Sequence, residues 1–91
     1  MSEIGSHVEV GQGVVARPGE GIRFAGSNAF PAAGGKPASA KIAAWDDNSS
    51  EEFDAHLCEG DTLEIAGQKW RLDKIHSEGQ RRWYADLTRI A

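Results

Sequence analysis

The sequence predicts an all-β fold, either a small antiparallel β-barrel or a two-sheet β-sandwich of six to eight short strands, and three observations carry that reading. Eleven glycines in 91 residues leave little room for long helices. The pieces between them are short and rich in β-branched or aromatic residues, as strands are. From Leu57 to Ile90, strand-like runs alternate with short polar turns more regularly than anywhere else in the chain.

Taken in order, the strand candidates run from His7 to Val10, Gly13 to Ala16, Gly21 to Ala25, Ala40 to Trp45, Glu52 to Leu57, Thr62 to Ala66, Lys69 to His76 and Arg81 to Arg89. Their spacing is that of a small sandwich or barrel. Leu63 and Ile65 alternate with Thr62, Glu64 and Ala66, so one face is apolar and the other partly wet. Gly67-Gln68 then offers a two-residue loop whose leading glycine suits a type II′ hairpin turn. Trp70 and Leu72 continue one face, but Ile75 follows Leu72 by an odd number of residues and falls out of phase. A β-bulge at Asp73-Lys74 would return Ile75 to the core and bend the strand. Ser77-Glu78-Gly79-Gln80 turns the chain again, and Trp83, Ala85 and Leu87 form the next inward set, leaving Arg82 and Tyr84 on the wet face.

Residues 28–39 read as a long loop, because Pro31 and Pro37 lack the ladder donor and Gly34-Gly35 adds freedom. It is either a binding flap carrying Phe30 or a surface excursion without a task. The acidic stretch Asp46 to Glu52 is a turn between neighbouring strands. Ala38 to Asp46 has helix-forming residues, yet it is short and its apolar stripe weak, so a strand is the reading retained.

Residues 1–6 look like a flexible N-terminal tail and residues 7–91 like a single β domain, since a chain of this length cannot feed two cores. The core assigned to it is Val8, Val10, Phe24, Ile42, Leu57, Leu63, Ile65, Trp70, Leu72, Ile75, Trp83 and Leu87, and the three tryptophans, Trp45 included, are expected to fill it. A formal charge of -4 provides no summed positive field, which argues against nucleic acid as a partner. One cysteine, Cys58, cannot form an internal disulfide and suits a reducing, cytoplasmic setting. Neither a signal-type start nor a run long enough to span a bilayer as a helix is visible, so no membrane partner is expected.

Chemistry-bearing residues are few. His56 and Cys58 share a strand face, and with His76 and Asp61 or Asp73 could surround a zinc ion, but the paired C-x-x-C or H-x-x-x-H elements of structural zinc sites are missing. Cys58, His76 and Asp73 are the residue types of a thiol nucleophile, base and orienting carboxylate, without the basic or helix-terminal surroundings that a thiolate needs. The Gly11-Gln12-Gly13 and Gly19-Glu20-Gly21 pairs lack the continuation of a phosphate loop, and Glu59-Gly60-Asp61 is a tight turn rather than a calcium loop. No catalytic residue, cofactor or metal is therefore assigned. Arg82 and Tyr84, with Arg71 and Phe30, combine guanidinium groups and aromatics in the manner of protein interfaces and form the candidate interaction surface.

Several stretches point to a family. His7-Val8-Glu9-Val10 with Gly13-Val14, Ile22-Arg23-Phe24, H-L-x-E-G-D-T-L from His56, G-Q-x-W-R-L-D-K-I from Gly67 and W-Y-A-D-L-T-R-I from Trp83 resemble the small actinobacterial proteins grouped as DUF6406. The resemblance covers nearly the whole chain and is most specific at Gly60-Asp61-Thr62 followed by Gln68, Trp70, Leu72 and Asp73. It implies an intracellular β domain and carries over no catalytic residue. The long segment from Asn28 to Ser39 departs from the family pattern. The Gly67 to Ile75 hairpin is also similar to those of phage head–tail joining proteins, although hairpins in general share its motif.

The function expected is that of a small non-enzymatic binding or interaction module, acting on a protein partner through a strand face and the loop over 28–39. A small-molecule carrier holding its ligand in a barrel mouth at Trp45 or Trp70 is one alternative. A structural subunit of a phage-like assembly is the other.

Overall fold

Each strand of this protein has one apolar face, and two four-stranded antiparallel sheets bury those faces against each other. The computed structural model describes residues 3–19, 21–77 and 82–91. Among them are eight strands and no helix: β1 (His7–Gly11), β2 (Val15–Gly19), β3 (Ile22–Phe30), β4 (Ser39–Asp46), β5 (Glu52–Cys58), β6 (Thr62–Ile65), β7 (Gln68–Ser77) and β8 (Trp83–Arg89). One sheet has the order β1-β8-β7-β6 and the other β2-β3-β4-β5. The result is an open sandwich, and the barrel alternative is not realised, because each sheet keeps two outer strands.

The chain changes sheet at two corners. After β1 it turns through Gly11 to Val14, and a parallel bridge between Gln12 and Gly26 ties that corner to β3. After β5 it turns through Glu59-Gly60-Asp61, where Gly60 has a φ of 93° and the Asp61 carboxylate accepts from the Cys58 amide at 2.9 Å. The two ends of the domain meet because β1 pairs with β8 from His7↔Thr88 to Gly11↔Tyr84. The amide of Gly5 also bonds the Arg89 carbonyl and the amide of Arg89 the Ser6 carbonyl, at 2.7 and 2.9 Å.

The core is Val10, Ile22, Phe24, Ala40, Ile42, Ala44, Leu57, Leu63, Ile65, Trp70, Leu72, Trp83, Ala85 and Leu87. Val8 and Ile75 are only partly buried and pack against it. At its centre the Phe24 and Trp70 rings meet edge to face, with centroids 5.2 Å apart. Trp70 satisfies its indole N–H on the Oε1 of buried Gln68, at 3.1 Å. Trp45 does not join this core: it stands half-buried on the outer face of β4, with the Arg23 guanidinium 5.3 Å from its ring centroid.

Two bulges keep the inward faces in phase. The β7–β8 register shifts between Leu72 and Lys74, so that both Leu72↔Leu87 and Ile75↔Ala85 point inward. This is the bulge the odd spacing of Leu72 and Ile75 requires. A second lies between Gly26 and Asn28 on β3 and lets Gly26↔Ile42 and Ala29↔Ala40 both face the core.

Three sequence expectations are corrected. The two-residue loop between β6 and β7 is Ala66-Gly67, because Ile65 pairs with Gln68 and Ala66 and Gly67 both have positive φ, 53° and 73°. That is type I′ geometry rather than a type II′ turn at Gly67-Gln68. The segment over 28–39 is less of a loop than expected: Asn28, Ala29 and Phe30 pair with Lys41, Ala40 and Ser39, leaving residues 31–38 to connect the strands. Proline at 31 stops the ladder at its own position but does not prevent zipping up to it. Strand β2 begins later than the Gly13 to Ala16 reading and includes Pro18, which is tolerated because β2 is an outer strand. Ala38 to Asp46 is not a helix; Ser39 onward is strand β4. Residues 78–80 of the expected turn, and Arg81, lie outside the described residues.

Candidate functional site

The outer face of the β1-β8-β7-β6 sheet carries a polar network. Tyr84, Asp86 and Thr88 project from β8 on the side opposite Trp83, Ala85 and Leu87, as strand alternation requires. Antiparallel pairing then sets β1 and β7 side chains beside them. The Asp86 carboxylate is 3.2 Å from His7 Nε2 through one oxygen and 2.9 Å from His76 Nε2 through the other, so one acid bridges the chain's N-terminal strand to β7. The His76 ring stacks on Tyr84 with centroids 4.4 Å apart and planes 14° apart.

One residue row further on, Asp73, the residue added by the bulge, accepts from Arg71 Nε at 2.6 Å and from the Thr88 hydroxyl. Partial burial opposes ionisation of Asp73, but these two hydrogen bonds and the charges of Arg71 and His7 outweigh it. The carboxyl is held below its ordinary 3.8. The bulge thus serves two ends, returning Ile75 to the core and aiming a carboxylate along the sheet surface.

Beside this network is a groove of about 290 Å³, lined by Glu9, Val10, Gly11 and Gln12 of the β1 end, Val14 of the corner, Arg82 just before β8, and Trp83 and Tyr84 of β8. Val14 and Tyr84 are exposed, at 56% and 41%. Trp83 is only 5% exposed, and its indole N–H is buried without a hydrogen-bond partner among the described residues. A second groove of about 210 Å³ lies at the β4–β5 turn between Arg23, Trp45 and the acidic residues Asp46, Asp47, Glu51 and Glu52.

The four residues of the candidate interaction surface are thereby divided. Arg82 and Tyr84 line one groove, and Arg71 occupies the same outer sheet face two rows away, held by Asp73. Phe30 lies on the other sheet, 44% exposed, its ring centroid 5.1 Å from that of His56. The other chemistry-bearing residues are also separated. His56 is on β5 of one sheet and bonds Ser39 Oγ at 2.8 Å, whereas His76 is on β7 of the other sheet and is occupied by Asp86. Asp73 is bonded to Arg71 and Thr88, and the acid on His76 is Asp86, so Asp73 does not orient His76. Trp70 lies inside the sandwich, and Trp45 lines the acidic groove rather than a barrel mouth.

The contributions of His7, Gln12, Val14 and Asp86 were not legible from local pattern. Alternation places His7 with Glu9, and Tyr84 with Asp86, on outward faces; only the β1–β8 pairing across nearly the full chain length brings those faces together.

No curated protein and no solved structure matches the chain. A family model does, over residues 5–91, and its description is a family of unknown function. With that match covering almost the entire sandwich, from the turn before β1 to the end of β8, the chain belongs to the DUF6406 family.

Proposed function

We propose that this protein is a non-enzymatic interaction module that binds an extended segment of a protein partner in the groove between β1 and β8. The observation that carries this reading is the placement of exposed Val14 and Tyr84 with Arg82 around a groove lined by Trp83, at an outer strand of its sheet. Aromatic and arginine side chains around an apolar depression are the usual composition of an interface anchor site. The groove takes one of the segment's side chains as an anchor, and the exposed Val14 and Tyr84 side chains cover it. A groove of about 290 Å³ that is open to solvent suits a side chain better than an enclosed metabolite. The formal charge of -4 disfavours nucleic acid, and the unpaired, half-buried Cys58 suits a reducing, cytoplasmic compartment.

The test is selection of binding peptides from a displayed random library, followed by titration of an enriched peptide in amide proton–nitrogen correlation spectra. The expected result is a shift of the Gly11 and Gln12 amides and of the Trp83 indole N–H. Combining Val14→Ser with Tyr84→Ser should weaken binding about tenfold or more, as loss of an anchor site does. Failure of any peptide to enrich, or shifts confined to the other sheet, would overturn the reading.

A further inference from the structure

We infer that a second copy of this chain pairs with β5, edge to edge and antiparallel, about a two-fold axis that sets Ala55 opposite its own copy. The inference concerns the sheet that does not contain the β1–β8 groove and stands independently of it.

Four strands terminate the two sheets, and three of them are poor templates for a further strand. Strand β6 has only four residues. Strand β2 contains Pro18 and a register shift between Ala16 and Gly19. Strand β1 has five residues, and its Gly11 end is closed by the turn to Val14 and the bridge from Gln12 to Gly26. Strand β5 is different. It has seven residues and no proline, and it pairs with β4 in unbroken register from Ser39↔Cys58 to Trp45↔Glu52. Among the described residues, no turn or loop backbone group bonds residues 52–57, and the edge is closed at Cys58, whose amide donates to the Asp61 carboxylate and whose carbonyl accepts from the Asp61 amide. A regular edge of this length is a surface that proteins usually protect or use.

The order of side chains along β5 selects the occupant. In an antiparallel pair, opposed residues project to the same face, so a two-fold axis normal to the sheet must lie midway between a residue and its own copy. With the axis at Ala55, outward Asp54 faces His56 of the second copy, and His56 faces its Asp54. Phe53 and Leu57 face each other on the inner side. Glu52 faces Cys58. Moving the axis to Asp54 sets Asp54 against itself, and moving it to His56 sets imidazole against imidazole. Only the Ala55 axis makes both the polar and the apolar rows complementary, and such cross-strand pairs are the unit of sheet stabilisation. His56 is suitably prepared: its Nε2 is taken by Ser39 Oγ at 2.8 Å, which leaves Nδ1 for a carboxylate across the axis. Phe53, already half-buried, gains the cover of an aliphatic neighbour.

One strand pair buries less than the roughly 1,200 Å² of stable complexes, so the dimer is weak and reversible, with a dissociation constant on the order of 10 µM to 1 mM. It is tested by sedimentation across that concentration range together with thiol cross-linking. Glu52→Cys places a thiol opposite Cys58 of the second copy. The two Cα atoms would be about 4.5–5.5 Å apart, inside the range a disulfide spans. Within one chain the two positions are too far apart along β5 to bridge, about 20 Å. The expected result is a covalent dimer on mild oxidation of Glu52→Cys, and little from Glu64→Cys on β6. Asp54→Arg should weaken the non-covalent dimer about tenfold, and adding His56→Asp should restore it. A protein that stays monomeric throughout, or a dimer indifferent to these substitutions, would overturn the inference.

Discussion

The six-membered ring of Trp83 lies directly over the backbone of Gly26: a Cβ on Gly26 would stand 2.6 Å from Trp83 Cη2 and 2.7 Å from the Gly11 carbonyl oxygen. Three parts of the chain converge here, the β1 corner, the bulged middle of β3 and the start of β8. The contact joins the two sheets directly beneath the β1–β8 groove, so the packing that closes the sandwich also shapes that groove.

Gly26→Ala should therefore destabilise the protein by about 2–3 kcal/mol, the cost of forcing a methyl group into a filled core. Trp83→Leu in the same chain should recover only part of the loss, because the Gly11 carbonyl is backbone and cannot withdraw as a side chain can. Urea denaturation of the two single variants and the double variant measures the coupling.

At the β6–β7 turn, Ala66 has a φ of 53°, where an L-residue with a Cβ is strained and Gly or Asn is at ease. Ala66→Gly and Ala66→Asn should each stabilise the protein, by about 0.5–1 kcal/mol. A rise in the denaturation midpoint confirms this; a fall would mean that the φ of 53° carries no strain, since the hydrogen bond from the backbone N–H of residue 66 to Glu51 Oε1, at 3.0 Å, is open to all three side chains.

Removing the side chain that satisfies Trp70 should be costly. Gln68→Leu keeps the site apolar but deprives the buried indole N–H of its 3.1 Å acceptor, and a loss of about 1–3 kcal/mol is expected. The cost should shrink when Trp70→Phe removes the donor as well, which a double-mutant cycle in denaturant reads directly.

Asp73 has its pKa lowered in the folded state, so it binds protons less readily there than in the unfolded chain. The stability it contributes is present above the unfolded value, near 3.9, and is lost as pH falls through the lower folded value. Stability measured from pH 6 downward should decline less steeply at its acid end in Asp73→Asn than in the parent. Thr88→Val should raise the Asp73 pKa, followed by carboxyl NMR, because a hydroxyl that bonds the charged form is gone.

The reach of local pattern is clearest where it succeeds and fails within one hairpin. The odd spacing of Leu72 and Ile75 demands a bulge, and the register shift lies there, because a strand with one buried face has only that way to restore phase. The neighbouring turn lies one residue before the position that local pattern suggests, since Gly67 is compatible with either turn type and only the pairing of Ile65 with Gln68 decides between them. Likewise the alanines at 40 and 44 are wholly buried although hydrophobicity alone does not single them out. Small side chains belong to a core when the opposing sheet leaves no more space than that.

By itself, then, the sequence determined that the chain is all-β, roughly where its strands lie, most of its large core residues and its family, because alternation and glycine spacing are local properties. The tertiary structure decided that the sheets stay open, that Phe30 is parted from Arg82 and Tyr84, and that His7 meets His76 on Asp86. Those outcomes depend on the antiparallel pairing of β1 with β8 and on the two corners between the sheets, and no short window of residues encodes a partner some seventy-five positions away.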